Sequence, residues 1–199
     1  RAQAAKVSRW LSGGGRLTAR LVGCLQHSNP RVVYHALQSL THLGETTARD
    51  EVLDRLRSPL GKDRAIRHAA VLYLAHCCSE AALGAMLADP SRDVRLGAVL
   101  ALRRIRSQLL AGALLDEDRD IRFAALRAIH DLPIRQQLAG VAELVSSPDW
   151  IGPEAPFPVA QRILNANFRL GQRIHAARLA GLALDDGLPR SVRREALVA

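Results

Sequence analysis

Apolar positions along this chain recur with the 3.6-residue period of an amphipathic helix and not with the two-residue alternation of a half-buried strand. One block returns almost unchanged: an apolar, usually β-branched anchor, often an Arg after it, then Ala, an apolar residue, and Leu or Ile two turns on. It reads Ile66-Arg67-His68-Ala69-Ala70-Val71-Leu72-Tyr73-Leu74, then Val94-Arg95-Leu96-Gly97-Ala98-Val99-Leu100-Ala101-Leu102, then Ile121-Arg122-Phe123-Ala124-Ala125-Leu126-Arg127-Ala128-Ile129. Weaker copies begin at Val32, Val159 and Val192. The anchors fall at 32, 66, 94, 121, 159 and 192, so neighbours are 34, 28, 27, 38 and 33 residues apart. Self-similarity at such a period marks a repeat architecture.

A second helical pattern lies between successive anchors: Arg49 to Leu56, Glu80 to Leu87, Gln108 to Leu115, Gln136 to Val145 and His175 to Leu184. The turn into each motif helix carries helix-start residues, as in Ser28-Asn29-Pro30, Lys62-Asp63, Asp89-Pro90-Ser91, Asp116-Glu117-Asp118 and Asp185-Asp186. Asn, Asp and Ser satisfy the free amides of a first turn, and Pro suits its opening position. Helix, turn, helix, repeated about six times, predicts an all-α fold, a right-handed α-α superhelix in which each pair buries its apolar face against its neighbours. The reading places one such solenoid over residues 1–199, with a partial helix and a Gly turn in 1–14. The longest spacing follows Ser146 to Pro158, where four prolines predict a non-helical inter-repeat loop. Trp150 and Phe157 are expected to plug the joint there.

Composition narrows the class. Apolar residues make up 48% of the chain, enough for a core, and only seven residues are aromatic. An Ala/Leu/Arg-rich chain with so few aromatics lacks the residues strands favour. The longest uncharged run near the middle, His68 to Ser79, is too short to span a bilayer, which needs about 20 residues. The sequence starts Arg1-Ala2-Gln3 without a leader pattern and stops inside a helical one, so it is read as a segment excised from a longer protein. Cys24, Cys77 and Cys78 cannot build a disulfide framework and read as small buried residues.

With its turn Asp-Pro, then Val-Arg, then Ala spaced down the second helix, Asp89 to Leu102 resembles a HEAT repeat, and residues 28–199 follow the pattern. That resemblance implies an armadillo-like solenoid and says little of activity. In the second half, Arg122 to Ile134, Leu164 to Gly171, Leu188-Pro189 and Arg193 to Leu197 resemble the HEAT segment of large planctomycete-type membrane-bound dehydrogenases or c-type haem-binding proteins. Such proteins set a β-propeller before this segment and a Cys-x-x-Cys-His cytochrome after it. The resemblance implies an exported, periplasmic parent. This chain has neither the propeller pattern nor Cys-x-x-Cys-His, so no haem, cofactor or dehydrogenase chemistry is carried over.

Catalytic constellations are missing from the sequence. The histidines (27, 35, 42, 68, 76, 130 and 175) form no His-Glu pair of the kind metal-dependent HEAT hydroxylases use, and they read as exposed or capping. Carboxylates gather at turns, where capping explains them. Gly13-Gly14-Gly15 lacks the Lys-Ser/Thr of a phosphate loop and reads as a flexible turn. The expectation is a non-enzymatic module without cofactor or metal.

Charge and geometry suggest where such a module binds. The net charge is +9, and of 28 basic residues only Lys6 and Lys62 are lysine. Arg67, Arg95, Arg122 and Arg193 each follow an anchor, which predicts a ladder bonding turn groups of the adjacent repeat, the alternative being a basic ridge that contacts phosphates. At roughly 100° per residue, the anchor and positions +4, +7 and +8 cluster on one side of the motif helix, while +2, +6 and +9 lie opposite, on the expected concave wall. Those positions nominate Tyr34, His68, Leu72, Leu96, Leu100, Arg103, Phe123 and Arg127 as partner-binding residues, with an apolar centre at Leu72, Leu96, Leu100 and Phe123. The expected partner is a protein or a neighbouring domain of the same chain, with no membrane insertion. The alternative, prompted by the charge, is a basic nucleic-acid-binding HEAT-like module, whose binding would fall steeply with salt.

Overall fold

The computed structural model describes residues 2–8, 15–132 and 134–199. Trp10 and Gly13-Gly14 lie outside the described residues, and Gly15 opens a helix. The fold is all-α, and no strand occurs among the described residues. The chain gathers into two compact units, Arg1–Ser107 and Gln108–Ala199.

The first unit contains α1 (Ala2–Ser8), α2 (Gly15–Cys24), α3 (Pro30–His42), α4 (Arg49–Arg57), α5 (Arg64–Cys77), α6 (Glu80–Ala85) and α7 (Arg92–Arg104). The motif helices α3, α5 and α7 pack side by side in chain order; α1 and α2 lie against α3, α4 against α5 and α7, and α6 against α7. Asn29 and Asp63 start α3 and α5 by accepting first-turn amides, from Arg31 and from Ala65 and Ile66. The anchors Val32, Ile66 and Val94, the +4 alanines Ala36, Ala70 and Ala98, and the +8 leucines Leu40, Leu74 and Leu102 are all buried. Each such Leu contributes about 1.5–3 kcal/mol by leaving water. Gly97 takes the place that Ala69 and Ala124 hold in the other copies, because a Cβ there would stand 3.0 Å from Leu56 Cδ1.

The second unit contains α8 (Arg119–Asp131), α9 (Leu138–Glu143), α10 (Pro148–Ile151), α11 (Phe157–Leu170), α12 (Arg173–Leu184) and α13 (Arg190–Val198). Here α8, α11 and α13 are the motif helices, with α9 against α8 and α11, and α12 against α11 and α13. Ile121, Val159 and Val192 are buried, as the register requires. Position +8 of α11 differs from its counterparts: it holds Asn167, fully buried where the other copies bury Leu or Ile.

The intervening helices depart from the sequence reading. Gln108–Leu115 is a 3-10 helix throughout, α6 ends at Ala85 and runs into 3-10 residues Met86–Ala88, and Gln136 to Val145 divides into short 3-10 and α pieces. The repeats spaced 27 and 28 residues apart leave few residues for this helix. A 3-10 rise of about 2.0 Å per residue covers more length than the α rise of about 1.5 Å, so the shorter segment still reaches across. The proline-rich loop is also more ordered than expected: Pro148 opens the single turn α10, and Pro158 sits in the first turn of α11. Trp150 is buried within this joint and Phe157 is half-buried.

Candidate functional site

Three of the anchor-following arginines, Arg95, Arg122 and Arg193, reach back to the entry turn of their own repeat. Arg95 Nη1 donates to the carbonyls of Asp89 and Pro90, six and five residues back, at 3.1 and 3.3 Å. Arg122 Nη1 repeats the geometry on Asp116 and Glu117 at 3.0 and 3.1 Å. Arg193 donates to the side chain of Asp186 in its own entry turn. One turn inside the helix, the long guanidinium side chain doubles back over its own first turn and closes the loop on itself. One link between repeats is Arg57 Nη2 to Asp89 Oδ2 at 2.8 Å.

The face opposite the buried stripe is an open surface of the motif helices. In the first unit it carries Tyr34, His68, Leu72, Leu96, Leu100 and Arg103; His68 is exposed and the others are half-buried. The Tyr34 hydroxyl accepts from Gln38 Nε2 at 2.9 Å. Between α3 and α5 this face dips into an open depression of about 500 Å³ lined by Gln38, Thr41, His42, Ala69, Leu72 and His76. The apolar centre is less bare than expected, since the three leucines are partly covered by neighbouring side chains.

In the second unit the same face carries Phe123 and Arg127. Phe123 does not stand free: its ring lies 5.6 Å from that of Trp150 and beneath the Arg119 guanidinium at 5.1 Å. The proline-rich joint, whose course periodicity did not predict, brings Trp150 there. Arg127 is exposed and folds its Nε onto the Phe123 carbonyl at 3.3 Å. Further along, a polar depression of about 290 Å³ opens between α8, α11 and α13, lined by His130, Asp131, Gln161, Arg162, Asn165, Arg169 and Glu195. Arg162 grips Asp131 with two parallel bonds of 2.9 and 3.1 Å. That grip holds the Asp131 carboxyl down to about 2; burial opposes the shift and the His130 bond assists it. His130 Nδ1 lies 3.0 Å from Asp131 and Nε2 lies 2.9 Å from Asn165 Oδ1.

Several lining residues escaped the sequence reading for one geometric reason. His42, His76, Asp131 and Arg169 all occupy position +10, at about 280° on the helical wheel, just beyond the 180–240° sector assigned to the open face. A wider sector would have found them. Two histidines also differ from expectation: His130 and His175 are buried and hydrogen-bonded, His175 Nδ1 meeting Asn167 Oδ1 at 3.1 Å. Burial pushes the Cys77 thiol up to about 11, with Cys78 raised for the same reason. The turn carboxylates do cap: Asp118 accepts from Asp120 and Ile121, and Asp89, Asp116 and Asp185 each accept the amide two residues on. Among the described residues no three His, Cys, Asp or Glu side chains gather to hold a metal, and no helix is long and apolar enough to cross a membrane.

No family model and no curated protein matches the chain. Two engineered proteins solved by the Northeast Structural Genomics Consortium are similar to it. The first is 17% identical, with 98% of this chain and 62% of that chain covered and a TM-score of 0.46. The second is also 17% identical, with 98% and 87% covered and a TM-score of 0.35. This chain therefore spans less than two thirds of the length of the first.

Proposed function

We propose that this chain is a non-enzymatic binding module that holds a protein partner, or a neighbouring domain of its own polypeptide, on the open face of its motif helices. The observation that carries the reading is that one register, +6 to +10, lines an open depression in each unit: Gln38, Thr41, His42, Leu72 and His76 in the first, His130, Asp131, Asn165 and Arg169 in the second. Mixed polar and half-buried apolar side chains on rigid helices suit protein recognition. A scaffold role within an exported redox protein is supported by the sequence resemblance of Arg122 to Ile134 and Leu164 to Gly171.

The test is capture by the immobilised chain from an extract of its source, with Leu72→Asp and Leu96→Asp combined. Both side chains are half-buried, so helicity is checked by circular dichroism beside each capture. The expected result is a folded double variant that loses a partner retained by wild type and by the surface control Glu51→Ala. Equal capture by all three overturns the reading.

A further inference from the structure

The chain's charge is not shared between its units. Residues 1–107 hold 17 Lys and Arg against 8 Asp and Glu, a net +9, whereas residues 108–199 hold 11 against 11. The entire net charge of the chain therefore resides in the first unit. Exposed apolar side chains divide the other way: Leu109, Leu115, Phe168, Ile174, Leu184, Leu197 and Val198 belong to the second unit, and Ile105 alone to the first among the described residues.

From this partition we propose that the first unit carries a separate surface that binds the phosphate backbone of a nucleic acid, centred on Arg31, Lys62, Arg64 and Arg67. Arg31 and Arg64 lie in the opening turns of α3 and α5, which pack directly against each other, with Lys62 in the turn before α5 and Arg67 one turn inside it. Arg31, Lys62 and Arg64 are exposed and Arg67 is half-exposed. None of the four forms an ion pair with a described carboxylate. The intervening Asp63 has its Oδ1 occupied by the amides of Ala65 and Ile66. Arg67 also lacks the bond back to its entry turn that Arg95 and Arg122 make, which leaves its guanidinium available.

Chemistry selects phosphate over other anions and a polymer over a small ligand. Of the 17 basic residues in this unit all but Lys6 and Lys62 are arginine, whose planar fork matches a phosphate with two parallel bonds. The four cations are exposed or half-exposed at the starts of two adjacent helices, an arrangement suited to successive charges along a strand. A membrane surface is the weaker match, because amphipathic attachment sets apolar side chains beside the cations and the described residues of this unit expose almost none. Sequence-specific reading is not part of the proposal, since backbone contacts carry affinity without base information.

The experiment measures binding of the whole 199-residue chain to a fluorescent mixed-sequence DNA duplex of about 20 base pairs, by anisotropy, from about 50 to 200 mM salt. Two quadruple variants remove the same number of charges. One carries Arg31→Gln, Lys62→Gln, Arg64→Gln and Arg67→Gln; the other carries Arg135→Gln, Arg173→Gln, Arg190→Gln and Arg194→Gln, all exposed in the second unit. Circular dichroism establishes that both are folded. The proposal expects steep salt dependence in wild type. It expects about a tenfold or greater loss for the first variant, with the log–log salt slope reduced by about 3.6, since each of the four phosphate contacts contributes about 0.9. The second variant is expected to bind within about threefold of wild type. Equal losses in the two variants overturn the proposal, because net charge would then act without a localised surface. So does absence of duplex binding, or binding confined to phosphatidylserine vesicles.

Discussion

Asn167 Oδ1 lies 3.1 Å from Nδ1 of His175, joining two buried polar side chains of α11 and α12. The Asn167 amide nitrogen donates in turn to the carbonyls of Ile163 and Ala142, at 3.0 and 3.1 Å. Three segments of the second unit are thereby tied at one fully buried residue. Asn167→Leu would restore the apolar pattern of the other repeats, yet it would orphan both the Ala142 carbonyl and His175. We expect a loss of about 1–3 kcal/mol, the cost of burying unsatisfied groups. Urea unfolding of Asn167→Leu, His175→Leu and the double variant checks this; strictly additive losses would show that the two side chains are not coupled.

The staple of Arg95 on the Asp89 and Pro90 carbonyls predicts a turn-specific loss. Arg95→Met keeps the buried side-chain stem and removes the donor, so it should cost about 1.5–3 kcal/mol, the range for a hydrogen bond to a charged group. Arg67→Met, at the same register but without the staple, should cost under about 0.5 kcal/mol. Matched chemical denaturation curves decide; equal costs would remove the staple's role.

Acid should loosen the α8–α11 contact. The Asp131 carboxyl titrates near 2 in the folded chain against an ordinary 3.8. Its folded value is depressed, so its contribution is present above about pH 4 and is lost as pH falls toward 2. Because Asp131 is partly exposed, screening limits the effect to about 1 kcal/mol. Arg162→Gln should flatten this part of the stability–pH curve between pH 4 and 2, measured by thermal unfolding, and should return the Asp131 resonance midpoint toward 3.8.

Position +12 offers a stabilising substitution. Gly44 and Gly171 end α3 and α11 in the left-handed region, with φ of 64° and 62°, and Arg106 adopts φ 56° at the same register after α7. The amide of the next residue bonds back to the helix in both Gly44 and Arg106, as Glu45 to Leu40 and Ser107 to Leu102, each at 3.0 Å. Only a side chain separates the two turns. Arg106→Gly should therefore stabilise by about 0.5–1 kcal/mol and Gly44→Ala should destabilise by about 1 kcal/mol. A shift of midpoint in the opposite direction for either would contradict the cap assignment.

The vicinal cysteines should be inert while the chain is folded. With burial raising Cys77 to about 11, very little thiolate exists at pH 8. In a Cys24→Ser background, a chromogenic disulfide reagent should react slowly with the native chain and at once after guanidinium is added. Fast native labelling of both thiols would show that the pair is accessible.

The sequence by itself determined the helical class, the six anchors and the buried stripe, because a 3.6-residue period and turn capping are local properties that each repeat states independently. Val32, Ile66, Val94, Ile121, Val159 and Val192 are all buried at the places periodicity assigns them. Of the residues lining the two depressions, the +2, +6 and +9 sector holds Gln38, Thr41, Leu72, His130, Gln161 and Asn165, while those at +3 and +10 fall outside it because the sector was drawn too narrow. Tertiary structure decided what depends on distant neighbours. Why Asn167 is tolerated in a core and how Trp150 covers Phe123 follow from segments brought together in space, and no local pattern encodes those meetings. The concentration of the net charge in residues 1–107 is written in the sequence, but it acquires meaning only once the boundary at Ser107 is known.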